Sequence, residues 1–333
     1  MYNIGALGAG TWGMALARML SIHGNDVLVW SALEREIEEY SATRRHPNLP
    51  GMVIPSEIRF TKNIEDVCRD KDVMLVAIPS NYVRSVARQF APYIRDGQVI
   101  VNVGKGMEAE TLMTLTEVIE DELEKAGKSA RVVALSGPTH AEEVALDIPT
   151  TIVSASRDME AAEYIQNVFM NDNMRVYTNE DVRGIQLCGA MKNIIALASG
   201  ISTGLGFGDN TKAALITRGL AEITRLGLAM GCHKETFSGL AGVGDLIVTA
   251  TSMHSRNNRA GMLMGKGKSA EEAVKEVGMV VEGIYAIPAA LELAEKYHVE
   301  LPIIFAVDAI VNHGANPAST VRALMLRDKK PET

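Results

Sequence analysis

Short apolar runs without polar alternation punctuate the first half of the chain. Residues 2–7, Asp26–Trp30 (DVLVW), 72–78 (DVMLVAI), 98–103 (QVIVNV) and 131–135 (RVVAL) are rich in β-branched side chains. Such runs fit parallel strands covered on both faces. Between them, residues 63–69, 81–93 and 110–126 have helical length and period, and a helix after the first strand ends near Gly24 and Asn25. Runs at 151–155 and 175–177 extend the pattern, and residues 44–59, with Pro47, Pro50 and Pro55, read as one long irregular connection. Strand-helix alternation of this kind predicts an α/β doubly wound sheet.

From about residue 180 the strand signals stop. Residues 180–199, 211–230, 270–277, 284–297 and 303–311 are helical in length and period. The expected organisation is an α/β domain over 1–184 and an all-α domain over 185–333, with a polar tail fraying after Arg327. The apolar run 185–201 carries Gln186, Lys192 and Asn193, so it reads as a buried helix and not a membrane span.

Composition narrows the function. The 333 residues are 47% hydrophobic and 22% charged, enough for a sizeable core. Lys and Arg number 33 against 41 Asp and Glu, a formal charge of −8 that argues against a nucleic-acid ligand. An anionic small molecule must then be held by a local cationic pocket. Cys68, Cys188 and Cys232 are far apart, and no histidine spacing suggests a metal site. The N-terminus enters a strand with no basic or apolar leader, and the cytoplasm is the expected compartment.

Gly8-Ala9-Gly10-Thr11-Trp12-Gly13 is a G-x-G-x-x-G that follows a strand and opens a helix, the context that gives the pattern meaning. Gly8 allows the tight turn, Gly10 lets the backbone approach a pyrophosphate, and Gly13 lets helix and strand pack closely. The pyrophosphate would sit on the helix N-terminus. The acidic residue that would hold an adenosine ribose 2′-hydroxyl about 20 positions on is missing. The strand ends in Trp30-Ser31-Ala32, with Glu34 and Arg35 just beyond. An uncharged strand end tolerates a 2′-phosphate, so NADPH is permitted, and with the resemblance given below it is expected to serve at least as well as NADH.

Lys192 is the only charged residue between Gly184 and Ser202, and its helical neighbours Cys188, Gly189, Ile195 and Ala196 are small or apolar. Burying an ammonium is costly unless it is paired or deprotonated, and desolvation moves a lysine toward proton-transfer chemistry. A lysine snorkelling at a helix edge would show the same pattern. The segment GLAGVGD at 239–245 places Asp245 in a glycine-rich bend, where it reads either as a site carboxylate or as a helix cap. Ser255-Arg256-Asn257-Asn258-Arg259 is either a grip for a phosphate dianion or a solvated basic turn. Lys105 follows a strand carboxyl end, where open sheets bind ligands, though an exposed loop lysine would look alike.

In order along the chain, GAGTWG at 8–13, VGKGME at 103–108, SGPTHAEE at 136–143, GAMKNIIALASGI at 189–201, NTKAALITRGLAE at 210–222, AGVGDLIVT at 241–249, SRNNR at 255–259 and VVEG at 280–283 resemble bacterial NAD(P)-dependent sn-glycerol-3-phosphate dehydrogenase. The resemblance implies a Rossmann-type sheet followed by a 6-phosphogluconate-dehydrogenase-like helical domain. It implies interconversion of dihydroxyacetone phosphate and sn-glycerol 3-phosphate with NADP(H) or NAD(H), for phospholipid synthesis by a cytoplasmic homodimer. It places Gly8, Gly10, Thr11, Trp12, Gly13, Ala141, Val280 and Glu282 on the cofactor. Lys105 lies near both cofactor and substrate, and Gly137 and Thr139 on the substrate side. Lys192 becomes the proton acceptor with Asp245 nearby. Ser255, Arg256 and Asn257 hold the substrate phosphate, Arg256 also reaching the cofactor. Relatives that carry a basic residue or histidine after the second strand differ from Ser31-Ala32 here. A ketopantoate-type or β-hydroxyacid reductase, or a non-catalytic NAD(P) sensor, would have less use for the Arg256 grip.

Overall fold

In the computed structural model, which describes residues 1–329, 331 and 332, the glycine turn joins β1 (Asn3–Leu7) to α1 (Thr11–Ile22). β2 (Asp26–Trp30), α2 (Glu34–Thr43), β3 (Arg59–Thr61), α3 (Ile64–Cys68), β4 (Val73–Val76) and α4 (Val83–Phe90) follow. The sheet is then completed by β5 (Gln98–Asn102), α5 (Leu115–Lys125), β6 (Ala130–Ser136), α6 (Ala141–Val144), β7 (Thr150–Ala155), α7 (Met159–Phe169) and β8 (Met174–Asn179). Strand order is β3-β2-β1-β4-β5-β6-β7-β8. The strand order reverses between β1 and β4, the switch point at which such sheets bind ligands beyond the strand carboxyl ends.

The buried runs explain the layers. Val73, Leu75, Val99 and Val101 pack into one core with Met14 and Leu16 of α1 and Ile165 and Phe169 of α7. Met74, Val76 and Ile100 face the opposite core, with Val67 of α3, Phe90 of α4 and Ile119 of α5. Successive strand residues point to opposite faces, so a strand covered on both sides must be apolar throughout.

Three details depart from expectation. The TTIVSA run forms β7, which pairs antiparallel with β6 (Ala134↔Ala155) while β8 is parallel to β7; apolar composition does not encode direction. β3 closes the proline-bearing connection as a three-residue edge strand beside β2. α5 starts at Leu115 and not at 110, because Thr114 and Glu117 form a reciprocal capping box there.

The chain divides into two compact units, Met1–Gln186 and Leu187–Thr333. α8 (Val182–Gly204) is the one helix among the described residues long and apolar enough to cross a membrane, and its apolar window is 100% buried inside the protein. α9 (Asp209–Ala229), α10 (Lys234–Phe237), a π-helical turn at Leu240–Gly244, α11 (Asp245–Thr251), α12 (Arg256–Gly265), α13 (Ala270–Val277), α14 (Glu282–Lys296), α15 (Pro302–His313) and α16 (Pro317–Met325) follow. α8 and α12 meet backbone to backbone. A Cβ on Gly200 would lie 2.1 Å from the Asn258 carbonyl oxygen, and one on Gly261 2.2 Å from that of Leu197. Only glycine permits this approach, and it fixes the start of α12 relative to Lys192 on α8. Of the tail expected to fray, Lys330 and Thr333 lie outside the described residues; Arg327 pairs with Glu300 at 3.0 Å, and the Glu332 carbonyl accepts from Arg218.

Candidate active site

In the first unit, the glycine turn has the form a dinucleotide requires. Gly8 sits at φ +113, and its N–H donates to the Trp30 carbonyl at 2.9 Å. A Cβ on Gly8 would meet the Ala77 carbonyl at 2.4 Å and one on Gly13 the Gly8 carbonyl at 2.3 Å, whereas one on Gly10 would meet nothing within 4 Å. The turn is therefore crowded where strand and helix pack and approachable where the pyrophosphate would rest. Gly10 caps α1 without a side-chain hydrogen bond, and Thr11 and Trp12 open the helix half-buried. These residues fit an NAD(P) pyrophosphate.

Lys105 is drawn to the neighbouring strand end. Its Nζ donates to the Gly137 carbonyl at 2.9 Å and to Thr139 Oγ1 at 3.1 Å. Gly137 stands at φ +151, a backbone conformation that favours glycine, and a Cβ there would come within 3.0 Å of Ile152 Cα. Ala141 opens α6 just beyond. The resemblance grouped Lys105, Gly137 and Thr139, and the fold brings them together.

The end of β2 differs from its sequence reading. Ser31, 4% exposed, donates from Oγ to Glu36 Oε2 at 2.6 Å. The carboxylate comes from α2, six residues after the end of β2, not from the strand itself. The strand end is thus not uncharged, and Glu34, the nearer glutamate, is turned instead to Lys62 at 2.6 Å.

In the second unit, Lys192 Nζ donates to Asp245 Oδ1 at 2.5 Å and to Thr249 Oγ1 at 2.6 Å, and the three residues are 5%, 1% and 5% exposed. Asp245 is the first residue of α11, not a side-chain cap, and Thr249 lies one turn later on the same face. Thr249 was missed from sequence. Its i+4 spacing from Asp245 becomes a signal only once 245–251 is seen as helix and not as glycine bend.

Ser255 is the N-cap of α12, its Oγ accepting from Asn258 N at 3.2 Å. Arg256 is the first helical residue and half-buried. The Asn257 amide is a bridge: Nδ2 donates to Asn193 Oδ1 at 3.0 Å, and Oδ1 accepts from Gly283 N at 2.8 Å. It ties the start of α12 both to α8, next to Lys192, and to the start of α14, where Val280 and Glu282 lie half-buried. The Ser255 and Asn257 side chains therefore hold the start of α12 in place. Among the described residues, no group of three or more His, Cys, Asp or Glu could hold a metal ion.

Comparison with known proteins agrees over the whole chain. The family model of the NAD-dependent glycerol-3-phosphate dehydrogenase N-terminus matches residues 3–162, and that of its C-terminus matches 181–322. Glycerol-3-phosphate dehydrogenase (NAD(P)+) 2 of Lactobacillus delbrueckii subsp. bulgaricus is 68% identical over 334 residues, covering 100% of this chain and 99% of the relative. The Bacillus subtilis glycerol-3-phosphate dehydrogenase (NAD(P)+) is 47% identical, covering 100% and 96%. The crystal structure of glycerol-3-phosphate dehydrogenase from Coxiella burnetii superposes with a TM-score of 0.93 at 35% identity, over 98% of this chain and 99% of that one. A ketopantoate reductase family structure from Ralstonia eutropha, at 16% identity and a TM-score of 0.62, shares the fold alone. With both of its halves matched and full-length relatives this similar, the chain belongs to the NAD-dependent glycerol-3-phosphate dehydrogenase family.

Proposed function

We propose that this protein interconverts dihydroxyacetone phosphate and sn-glycerol 3-phosphate with NAD(P)H. The observation that carries the reading is the buried Lys192–Asp245–Thr249 cluster, set in a chain whose relatives bear the dehydrogenase name. Residues 1–184 hold the cofactor through Gly8, Gly10, Thr11, Trp12, Gly13 and Ala141, and residues 185–333 supply the catalytic and substrate groups, with Val280 and Glu282 adding cofactor contacts.

NAD(P)H held at the glycine turn would supply the hydride that reduces the ketone at C2. Lys192, as an ammonium, polarises the C2 carbonyl and donates a proton to the alkoxide oxygen as it forms; in the oxidative direction it takes that proton back. Asp245 and Thr249 fix the direction of the ammonium and stabilise its charge. Arg256 and the first-turn N–H groups of α12 hold the phosphate, where the helix dipole and a guanidinium fork both favour a dianion. Lys105, hydrogen-bonded to Gly137 and Thr139, is the cation that the first unit offers to cofactor and substrate. The protein works in the cytoplasm as a homodimer and feeds glycerophospholipid synthesis.

The test is loss of reduced-nicotinamide absorbance with dihydroxyacetone phosphate as substrate. Turnover of that ketone supports the reading. Turnover of ketopantoate alone would replace it with the reductase alternative, and cofactor binding without any turnover would make the protein a sensor.

A further inference from the structure

We propose that Glu36, held against Ser31 at the carboxyl end of β2, makes this enzyme select NADH over NADPH. The inference rests on the dinucleotide role of the glycine turn described above and concerns which adenosine ribose that turn accepts.

The position follows from the sheet. Leu7 of β1 pairs with Trp30 of β2, and Gly8 N donates to the Trp30 carbonyl. Ser31, the next residue, is therefore fixed beside the glycine turn. Its hydroxyl is held at two points, accepting from Leu33 N at 3.1 Å and donating to Glu36 Oε2 at 2.6 Å. The carboxylate is thus held at the strand end through Oε2, and its other oxygen is the one this proposal assigns to a ribose hydroxyl. The buried His46 ring, which accepts from Asn48 N at 3.1 Å and packs against Tyr40 of α2, lies near both Ala9 of the turn and Glu36. Glu36 lies in the first turn of α2, where the helix dipole favours acidic side chains.

The surroundings offer a 2′-phosphate little compensation. Arg44 donates to the carbonyls of Pro55 and Ile58, Arg59 pairs with Asp26, and Lys62 pairs with Glu34. α2 itself carries Glu34, Glu36, Glu38 and Glu39 against the single cation Arg35. A carboxylate at this place accepts the 2′-hydroxyl of NADH and opposes the dianionic 2′-phosphate of NADPH, whose accommodation calls for an arginine. On this proposal, the acidic residue that Ser31-Ala32 lacks is supplied from the following helix.

The test is direct binding of each reduced cofactor to the full chain, followed by nucleotide fluorescence, alongside kcat/KM for each. Wild type is expected to bind NADH about tenfold or more tighter than NADPH. In Glu36→Gln, the ratio should fall to within about threefold because NADPH binding improves. Ser31→Ala, which frees the carboxylate without removing it, should fall between the two. NADPH binding as tightly as NADH in wild type, with Arg35→Ala abolishing it, would overturn the proposal and assign the phosphate to Arg35. Equal weakening of both cofactors by Glu36→Gln would also overturn it. The wild-type ratio needs no variant to fold. If NADH selectivity holds while dihydroxyacetone phosphate is not reduced, the substrate reading fails and this one stands.

Discussion

Lys192 and Asp245, 53 residues apart in sequence, form an ion pair at 2.5 Å in which both residues are nearly sealed from solvent. Burying two charges costs several kcal/mol per ion, and hydrophobic residues of similar shape often serve stability equally well. A pair kept under those conditions, with Thr249 satisfying a second ammonium hydrogen, is more readily explained by chemistry than by stability.

That relationship predicts a separation of folding from turnover. Lys192→Met, which keeps the stem and removes the charge, should bind cofactor and lose about 10²–10⁴-fold in kcat. Asp245→Asn should retain the contact geometry but lose activity through a misdirected ammonium. Cofactor binding and steady-state kinetics on the same preparations decide it; near-normal kcat in Lys192→Met would leave the cluster a structural one.

The phosphate grip is tested by two substrates. Arg256→Ala should lower kcat/KM for dihydroxyacetone phosphate by about 30- to 1000-fold, the loss of a charge-assisted fork. Arg256→Lys should be impaired less. The penalty should shrink for dihydroxyacetone, which has no phosphate to lose. An equal penalty on both would confine Arg256 to the cofactor or the fold.

The glycine contact between α8 and α12 predicts a stability effect with a site consequence. Gly200→Ala puts a methyl 2.1 Å from the Asn258 carbonyl oxygen. Forced overpacking of this kind costs about 1–3 kcal/mol, which outweighs the roughly 1 kcal/mol that alanine gains in a helix. Chemical denaturation should show the loss. Because the helices are pushed apart next to Asn193 and Asn257, KM for the phosphorylated substrate should rise in the fraction that remains folded.

Glu222 on α9 predicts a pH dependence. Its carboxylate, 4% exposed, accepts from Ile303 N at 2.8 Å at the start of α15. Burial pushes its pKa from 4.5 up to about 7, against the opposing pull of the Ile303 and Ile304 N–H groups, Arg225 and Arg218. A carboxyl raised on folding favours the folded state while protonated, so its contribution is full below pH 4.5 and is lost as pH rises to about 7. Relative to Glu222→Gln, wild type should lose on the order of 3 kcal/mol across that window. Thermal unfolding of both proteins from pH 5 to pH 8 measures the difference; parallel curves would refute the shift.

The sequence by itself determined the two-part plan, because a strand covered on both faces must be apolar throughout and an amphipathic or buried helix must repeat its apolar positions every turn. It also marked Gly8, Gly10 and Gly13, since only glycine tolerates the φ and the contacts of that turn, and Lys192, since a lone charge in an apolar helix violates its surroundings. Tertiary structure alone decided what those residues touch. β7 runs antiparallel although its composition matches its parallel neighbours, because direction is set by the connection and not by the strand. Thr249 joins Lys192 across 57 residues, Asn257 becomes a bridge between α8 and α14, and Glu36 reaches back to the end of β2. Each of these depends on where a side chain lands after helices have packed, at contact distances of a few ångströms, and local periodicity carries no information about a partner in another element.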